Sequence, residues 1–189
     1  MNTHLNRIFL SLAILLLILS AACAPATESG HSEEPGHVDH YTGTVADSNA
    51  FVGLATKDNH ILAYVCDGTL QQAPTIYAWF RGELSGDSFD LTSDNGLHLT
   101  GQIESHEVSG TVQFADGSEN AFTADVAEAP AGLYRQEETI DGNQIISGWI
   151  VTANNEFRGG NRMVKDGTLG KINEALVNSM NQQSLVSNP

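Results

Sequence analysis

Apolar and polar residues alternate with a period of two along much of the chain. Between residues 107 and 114, apolar residues and glycine fall on one face and Ser, Thr and Gln on the other, and residues 97–104 and 119–126 repeat the pattern. This alternation is typical of antiparallel strands with one face toward a core and the other toward water. Turn signals that favour the positive φ of tight hairpins separate the runs: Asp58-Asn59, Asp94-Asn95-Gly96, Asp116-Gly117, Asp141-Gly142 and Asn154-Asn155.

The runs predict about eleven strands, joined mostly by hairpins. No helical stretch separates them before the C-terminus, so a parallel βαβ arrangement is not expected. The predicted fold class is all-β: an antiparallel meander that forms a small closed or strongly curled barrel-like sheet, with one C-terminal amphipathic helix. The predicted strands lie near 41–46, 50–57, 60–66, 75–81, 88–93, 97–104, 107–114, 119–126, 132–140, 144–153 and 156–164.

A short element recurs four times, with the order apolar, Ser or Thr, Gly, any residue, apolar. Its glycines are Gly43, Gly101, Gly110 and Gly148, and each shares a face with both flanking apolar residues. An inward glycine in mid-strand lets a sheet coil sharply or lets another element approach closely. The element therefore favours a closed or strongly curled sheet over a flat one.

Two runs are apolar on both faces, Ile61–Cys66 and Ile76–Phe80, which predicts that something covers the outer face of these strands. The C-terminal segment is one candidate. From Thr168 to about Gln183, apolar residues at spacings of three and four predict an amphipathic helix with Thr168 as its N-cap. A partner protein or a ligand at that surface is the alternative.

The N-terminus carries an apolar run of 12 residues, Ile8–Leu19. A membrane-spanning helix needs about 20 residues, so the run fits the hydrophobic region of a secretory signal. The Ser20-Ala21-Ala22-Cys23 sequence that follows resembles the lipobox of bacterial lipoprotein precursors. That resemblance implies diacylglyceryl transfer to the Cys23 sulfur, cleavage after Ala22, and an envelope location. An ordinary signal peptide cut nearby, with Cys23 incidental, is the alternative.

The same resemblance sets the expected domain organisation and location. Ala24, after the cysteine, points to the outer membrane if the host has two membranes, since such bacteria tend to retain lipoproteins with aspartate there in the inner membrane. The expected segments are a signal peptide over 1–22, a flexible lipid-anchored tether over 23–39, the β domain over 40–166, and a C-terminal helix and tail over 167–189.

The expected tether is the place where metal chemistry is most plausible. Its only aliphatic residue larger than alanine is Val38, which is too little apolar surface to order a chain. Imidazoles interleaved with carboxylates suit zinc, copper or nickel, although this spacing matches no structural zinc pattern. The hypothesis is weak metal capture by His31, His37 and His40, and the alternative is a plain solvated linker.

Charge and cysteine content narrow the possible partners. The formal net charge is −15, so nucleic acids and anionic headgroups are expected to be repelled. The chain has two cysteines. If Cys23 carries lipid, no intramolecular disulfide can form, and Cys66, inside an apolar run, is expected to pack in the core as a small hydrophobe.

The sequence holds no recognisable catalytic set: nucleophile-elbow, zincin, Cys-x-x-Cys, phosphate-loop and EF-hand patterns do not occur in it. Asp87 and Asp90 are interpreted as turn residues, and His60, His98 and His106 as residues of polar strand faces. The chain is therefore expected to be no enzyme, with no catalytic residues and no cofactor.

A glycine and an aromatic at strand starts, Gly132–Tyr134 and Gly148-Trp149, make the domain faintly similar to ligand-binding meander barrels such as calycins. The similarity covers a few residues and implies no function, so Tyr134 and Trp149 are expected to serve packing. The expected role is a membrane-anchored extracytoplasmic lipoprotein, a non-enzymatic structural or protein-binding envelope module. Its expected partners are the membrane, through lipid on Cys23, and an envelope protein. A small-ligand or metal-binding β-barrel lipoprotein is the first alternative, and an enzyme with an unfamiliar site is the second.

Overall fold

A computed structural model of the 189-residue chain describes residues 37–174 and 185–189. These residues fold into two antiparallel sheets, one of eight strands and one of four. The eleven predicted strands are confirmed with ends shifted by one or two residues, and a short twelfth follows. They are β1 (Asp39–Val45), β2 (Phe51–Lys57), β3 (His60–Cys66), β4 (Tyr77–Glu83), β5 (Ser88–Thr92), β6 (His98–Glu104), β7 (Glu107–Gln113), β8 (Glu119–Ala127), β9 (Gly132–Ile140), β10 (Asn143–Val151), β11 (Phe157–Met163) and β12 (Leu169–Lys171).

The eight-stranded sheet is an up-and-down meander that curls into a nearly closed barrel. Its order is β4-β3-β2-β1-β8-β7-β6-β5, so that β1 pairs with β8 and the two edge strands are β4 and β5. These edges approach each other. The Asn95 side-chain amide, in the β5–β6 turn, donates to the Tyr77 carbonyl oxygen at 3.3 Å. The predicted barrel-like, antiparallel sheet is thereby confirmed.

Inward glycines allow the tight coiling of this sheet. A Cβ atom on Gly43 would lie 1.8 Å from the Thr123 carbonyl oxygen on β8. A Cβ atom on Gly110 would lie 2.0 Å from the Thr100 carbonyl oxygen on β6. Neighbouring backbones therefore occupy the space that any other side chain would need, which is the sharp coiling that the recurring Ser/Thr-Gly element predicts.

Side chains fill the barrel. The largest core cluster draws apolar residues from all eight strands, with aromatic residues that include Tyr41, Phe80, Phe89 and Phe122. Small barrels of about eight strands have interiors just wide enough for side chains to fill. The interior of this barrel is thus a core rather than a ligand cavity.

The second sheet, β9 to β12, covers the outer face of β2, β3 and β4. Leu133 and Ile150 from this sheet pack with Phe51, Leu62 and Tyr64 of the barrel. This contact explains why Ile61–Cys66 and Ile76–Phe80 are apolar on both faces. A cover was predicted correctly, and in the described residues its main component is the second sheet.

The predicted helix from Thr168 is wrong at its start. Leu169–Lys171 forms β12, which pairs with β11 through the partners Gly160 and Lys171. Residues 175–184, which hold most of the predicted helix, lie outside the described residues. After them, Val186 joins the cluster between barrel and second sheet, and its amide donates to the Leu133 carbonyl oxygen at 3.0 Å.

The other face of the second sheet holds Tyr134 and Trp149. Their rings stack with centroids 5.4 Å apart, and both side chains are buried beside Ile172. The packing role predicted for them is confirmed. Across residues 37–174 and 185–189, no helix combines the length and the apolar composition that crossing a membrane requires.

Candidate anion-binding cleft

A cleft of about 330 Å³ opens where the barrel edge meets the second sheet. Strand β4 supplies one wall, the β5–β6 turn the second, and the barrel-facing side of β9, β10 and β11 the third. Its size is at the lower end of the range for small-ligand sites. The lining residues are Leu62, Tyr77, Trp79, Phe80, Arg81, Thr92, Asp94, Asn95, Arg135, Ile146 and Arg162.

Strand alternation and register place the polar groups of the cleft. On β4, alternation turns Tyr77, Trp79 and Arg81 outward, away from the barrel core. On the second sheet, Arg162 of β11 pairs with Ile146 of β10, and Arg135 of β9 pairs with Gly148. All these positions share the face that meets the barrel, so three arginines from three strands reach one opening.

An aromatic stack forms the base of the cleft. The Tyr64 ring stacks on Trp79 with centroids 4.2 Å apart. The Arg135 guanidinium carbon lies 5.5 Å from the centroid of the Trp79 ring, within the range of a cation–π contact. A Cβ atom on Gly148 would lie 2.4 Å from the Trp79 ring, so only glycine at this position lets the second sheet come this close. Gly148 is the copy of the recurring element that admits another element.

A hydrogen bond at the cleft ties the barrel wall to the sheet wall. The Tyr77 hydroxyl donates to the Ile146 carbonyl oxygen at 2.8 Å. Burial, above all, raises the pKa of Tyr77 to about 12, so the hydroxyl stays a neutral donor at physiological pH. The cleft is therefore held between walls that are fixed to each other.

The cleft is rich in basic residues although the chain as a whole is acidic. Only eight residues of the sequence are Lys or Arg against 23 Asp and Glu, and three of the eight line this opening. Arg135 forms an ion pair with Glu137, and Asp94 lies at the rim. Among the described residues, Arg162 has no ion pair, and its Nε–H is buried without a hydrogen-bond partner, as is the indole N–H of Trp79 in the same cleft. Buried donors are nearly always paired, so the charged donor of Arg162 indicates a position where an acceptor would be stabilised.

Comparison with protein-family models, with curated proteins and with solved structures finds no match to this chain. The function is therefore inferred from the chemistry of the cleft.

Of the three histidines of the metal hypothesis, the structure describes His37 and His40. His31 lies outside the described residues, as does the lipidation candidate Cys23. The His37 side chain is 87% exposed and stands 3.5 Å from the Asp39 carboxylate. His40 belongs to β1 and is buried, and this burial lowers its pKa. Within the described ranges, no group of three His, Cys, Asp or Glu side chains could hold a metal ion.

The remaining sequence assignments concern packing and surface residues. Cys66 is a free, buried thiol, as predicted. Burial raises its pKa to about 12, which removes thiolate reactivity at neutral pH. His60, His98 and His106 are exposed at strand ends or turns, and Asp87 and Asp90 are also exposed. None of these five lines the cleft.

Sequence reasoning missed Arg81, Arg135 and Arg162. One signal was available for Arg81. Basic residues are scarce in this acidic chain, and Arg81 comes directly after a run that is apolar on both faces, so it stands next to a covered surface. The convergence of the other two depends on how the sheets dock, which no local pattern encodes.

Proposed function

We propose that this chain is a lipid-anchored module of the bacterial cell envelope that binds an anionic group in the cleft lined by Arg81, Arg135 and Arg162. The observation that carries the proposal is the convergence of Arg81, Arg135 and Arg162 on one opening in a chain of net charge −15. Three guanidinium groups around one opening make the local potential there more positive than the net charge of the chain suggests, which favours an anion at this place. Asp94 and Glu137 compensate part of this charge, and a ligand would compensate the rest.

Because side chains fill the barrel, we expect a ligand to bind at the surface of the domain and not inside the barrel. Calycin-like barrels hold ligands inside, whereas the apolar core occupies that space here. The cleft lies outside the barrel, on the surface, where it is open to a partner protein or to a free solute. This arrangement accommodates the protein-binding module expected from the sequence, and equally the small-ligand alternative.

The binding half of the proposal is tested by fluorescence. The chain has two tryptophans, and Trp149→Phe leaves Trp79, at the base of the cleft, as the only tryptophan, whose emission is excited selectively over that of the four tyrosines. Titration of this purified protein with acetate, phosphate, sulfate and 3-phenylpropionate should give a saturable change in emission with at least one of them. Adding Arg162→Gln should weaken that response at least about tenfold, since a charged hydrogen bond is lost.

The matched control is Lys165→Gln, which removes one positive charge at an exposed position outside the cleft. Its titration should match that of the parent. Equal responses from the Arg162 and Lys165 variants, or no saturable response to any anion, would refute anion binding in the cleft.

The anchoring half rests on the signal-like apolar run and Cys23. Cys23→Ala in the full-length precursor should abolish metabolic labelling with palmitate and release the protein from membranes. Cys66→Ala is the matched control, because it removes the other cysteine and should leave labelling intact. Labelling that survives Cys23→Ala would rule out this anchor.

A further inference from the structure

The sharpest chemical feature of the cleft is the donor that Arg162 leaves unused. We infer that the cleft is built for a single carboxylate carried on an apolar or aromatic group, with Arg162 as the residue that grips the carboxylate. This inference rests on the anion-binding function proposed above and narrows it to one ligand class.

The geometry of the free donor favours a carboxylate. A guanidinium presents Nε–H and one terminal N–H side by side, and this fork matches the two oxygens of a planar carboxylate. In Arg162 the Nε–H is buried and unpaired, beside Ile146 on the neighbouring strand. An acceptor on this edge would complete the hydrogen bonding of the side chain, and a carboxylate would do so with two parallel bonds.

The charge balance favours a ligand with one negative charge. Glu137 pairs with Arg135, and Asp94 lines the same opening without an ion pair to any described residue, so three guanidinium groups and two carboxylates leave a formal balance of about one positive charge. A dianion would overcompensate this charge and meet the Asp94 carboxylate at the rim. Phosphate and sulfate sites are typically built from several backbone N–H groups or from a helix N-terminus. None of the strand and turn residues that line this cleft belongs to a helix.

The rest of the lining favours an apolar body on that carboxylate. Ile146 and Trp79 are only partly buried and keep apolar surface at this opening, beside the buried side chains of Leu62 and Tyr77. Water that covers this surface is released when an apolar group replaces it, which stabilises the complex. A ring or branched chain would lie on this base while its carboxylate meets Arg162. A small free acid and the C-terminus of a partner protein with an apolar last residue both carry this chemistry.

Calorimetric titration of the purified protein separates the ligand classes. 3-Phenylpropionate should bind, whereas 3-phenylpropionamide, which has the same body without the charge, should bind at least about tenfold more weakly. Inorganic phosphate and acetate should also bind more weakly than 3-phenylpropionate, because each lacks one of the two features. A blocked tripeptide ending in phenylalanine, with a free or an amidated C-terminus, distinguishes the two sources. Binding of the free-ended peptide indicates a protein C-terminus, and its failure beside bound 3-phenylpropionate indicates a small acid.

Arg162→Lys tests the fork itself, since it keeps the charge and removes the parallel donors. It should weaken 3-phenylpropionate binding about tenfold. Arg158→Lys is the matched control: it makes the same change on the same strand, at a residue that donates to the Asn49 carbonyl oxygen and lies over Phe51 outside the cleft. Unchanged thermal unfolding of both variants would show that binding, not folding, is altered.

Each contrary outcome has its own meaning. Phosphate or the amide binding as tightly as 3-phenylpropionate would overturn the carboxylate inference while leaving the anion-binding function standing. Equal binding by the Arg162→Lys protein and its parent would overturn the role of the fork. Failure of every anion to bind would remove the proposed function and this inference together.

Discussion

At the scale of single residues, glycines set how closely the strands and sheets of this structure approach one another. Gly43 and Gly110 occupy points where neighbouring strand backbones leave no room for a Cβ atom, whereas Gly148 makes room for an indole ring. The sequence element around these glycines predicted both kinds of close approach, because an inward glycine between apolar neighbours has few other uses. Nothing in the element distinguished which copy serves which purpose.

Gly43→Ala should destabilise the protein strongly, because the new methyl group would overlap the Thr123 carbonyl oxygen on β8. Overpacking of this kind costs about 3 kcal/mol. Gly86→Ala is the control: it has open space around it but a φ of +63°, and its cost should be about 1 kcal/mol. Urea unfolding measures both. Two variants of equal stability would show that the β1–β8 approach is not as tight as described.

Cys66 should behave as an inert thiol in the folded protein. With a pKa raised by burial to about 12, its thiolate fraction at pH 8 is about one in ten thousand. A disulfide reagent added at that pH should label Cys66 only after denaturant unfolds the chain. The Cys23→Ala protein is used for this measurement, because Cys66 is then its only cysteine. Rapid stoichiometric labelling without denaturant would contradict the buried position.

At the scale of elements, the period-two alternation located eleven strands because which face a residue takes is a local property. Strand partners are not local, and for this reason the division into two sheets did not follow from the pattern. The segment that begins at Thr168 shows the same limit. Spacings of three and four suggested a helix, but edge pairing with β11 holds Leu169–Lys171 extended. Tertiary pairing overrides local periodicity in so short a segment.

Five of the turns, by contrast, were predictable from local signals, whereas Asp47, Gly86 and Ser105 take positive φ in turns that the recognised signals did not include. Asp58, Asp141 and Asn155 take positive φ values of 56°, 50° and 60°, as do Gly96 and Gly117 at 81° and 85°. Each lies in a turn signal recognised from the sequence, because Asp, Asn and Gly tolerate this conformation best. These five hairpins therefore follow from local composition, while the cleft does not. Its arginines come from β4, β9 and β11, and only the docking of the second sheet on the barrel brings them together.

At the scale of the whole molecule, an acidic chain carries three of its eight basic residues at one opening. A net charge of −15 opposes the approach of any anion, so recognition must come from short-range contacts in the cleft rather than from long-range attraction. The lipid proposed on Cys23 would keep the domain in the envelope, where a carboxylate-bearing partner or solute is presented at short distance. The filled barrel supplies a rigid support for that cleft.

The most direct test of the account is an NMR titration that observes the arginine Nε–H groups in the purified protein. On addition of sodium 3-phenylpropionate, the Arg162 Nε–H resonance should shift saturably, because a carboxylate replaces its missing acceptor. The Arg158 resonance should stay fixed, and an equal concentration of sodium chloride should move neither. An Arg162 resonance that stays in place while 3-phenylpropionate binds, or that shifts only as much as it does in sodium chloride, would contradict the central claim.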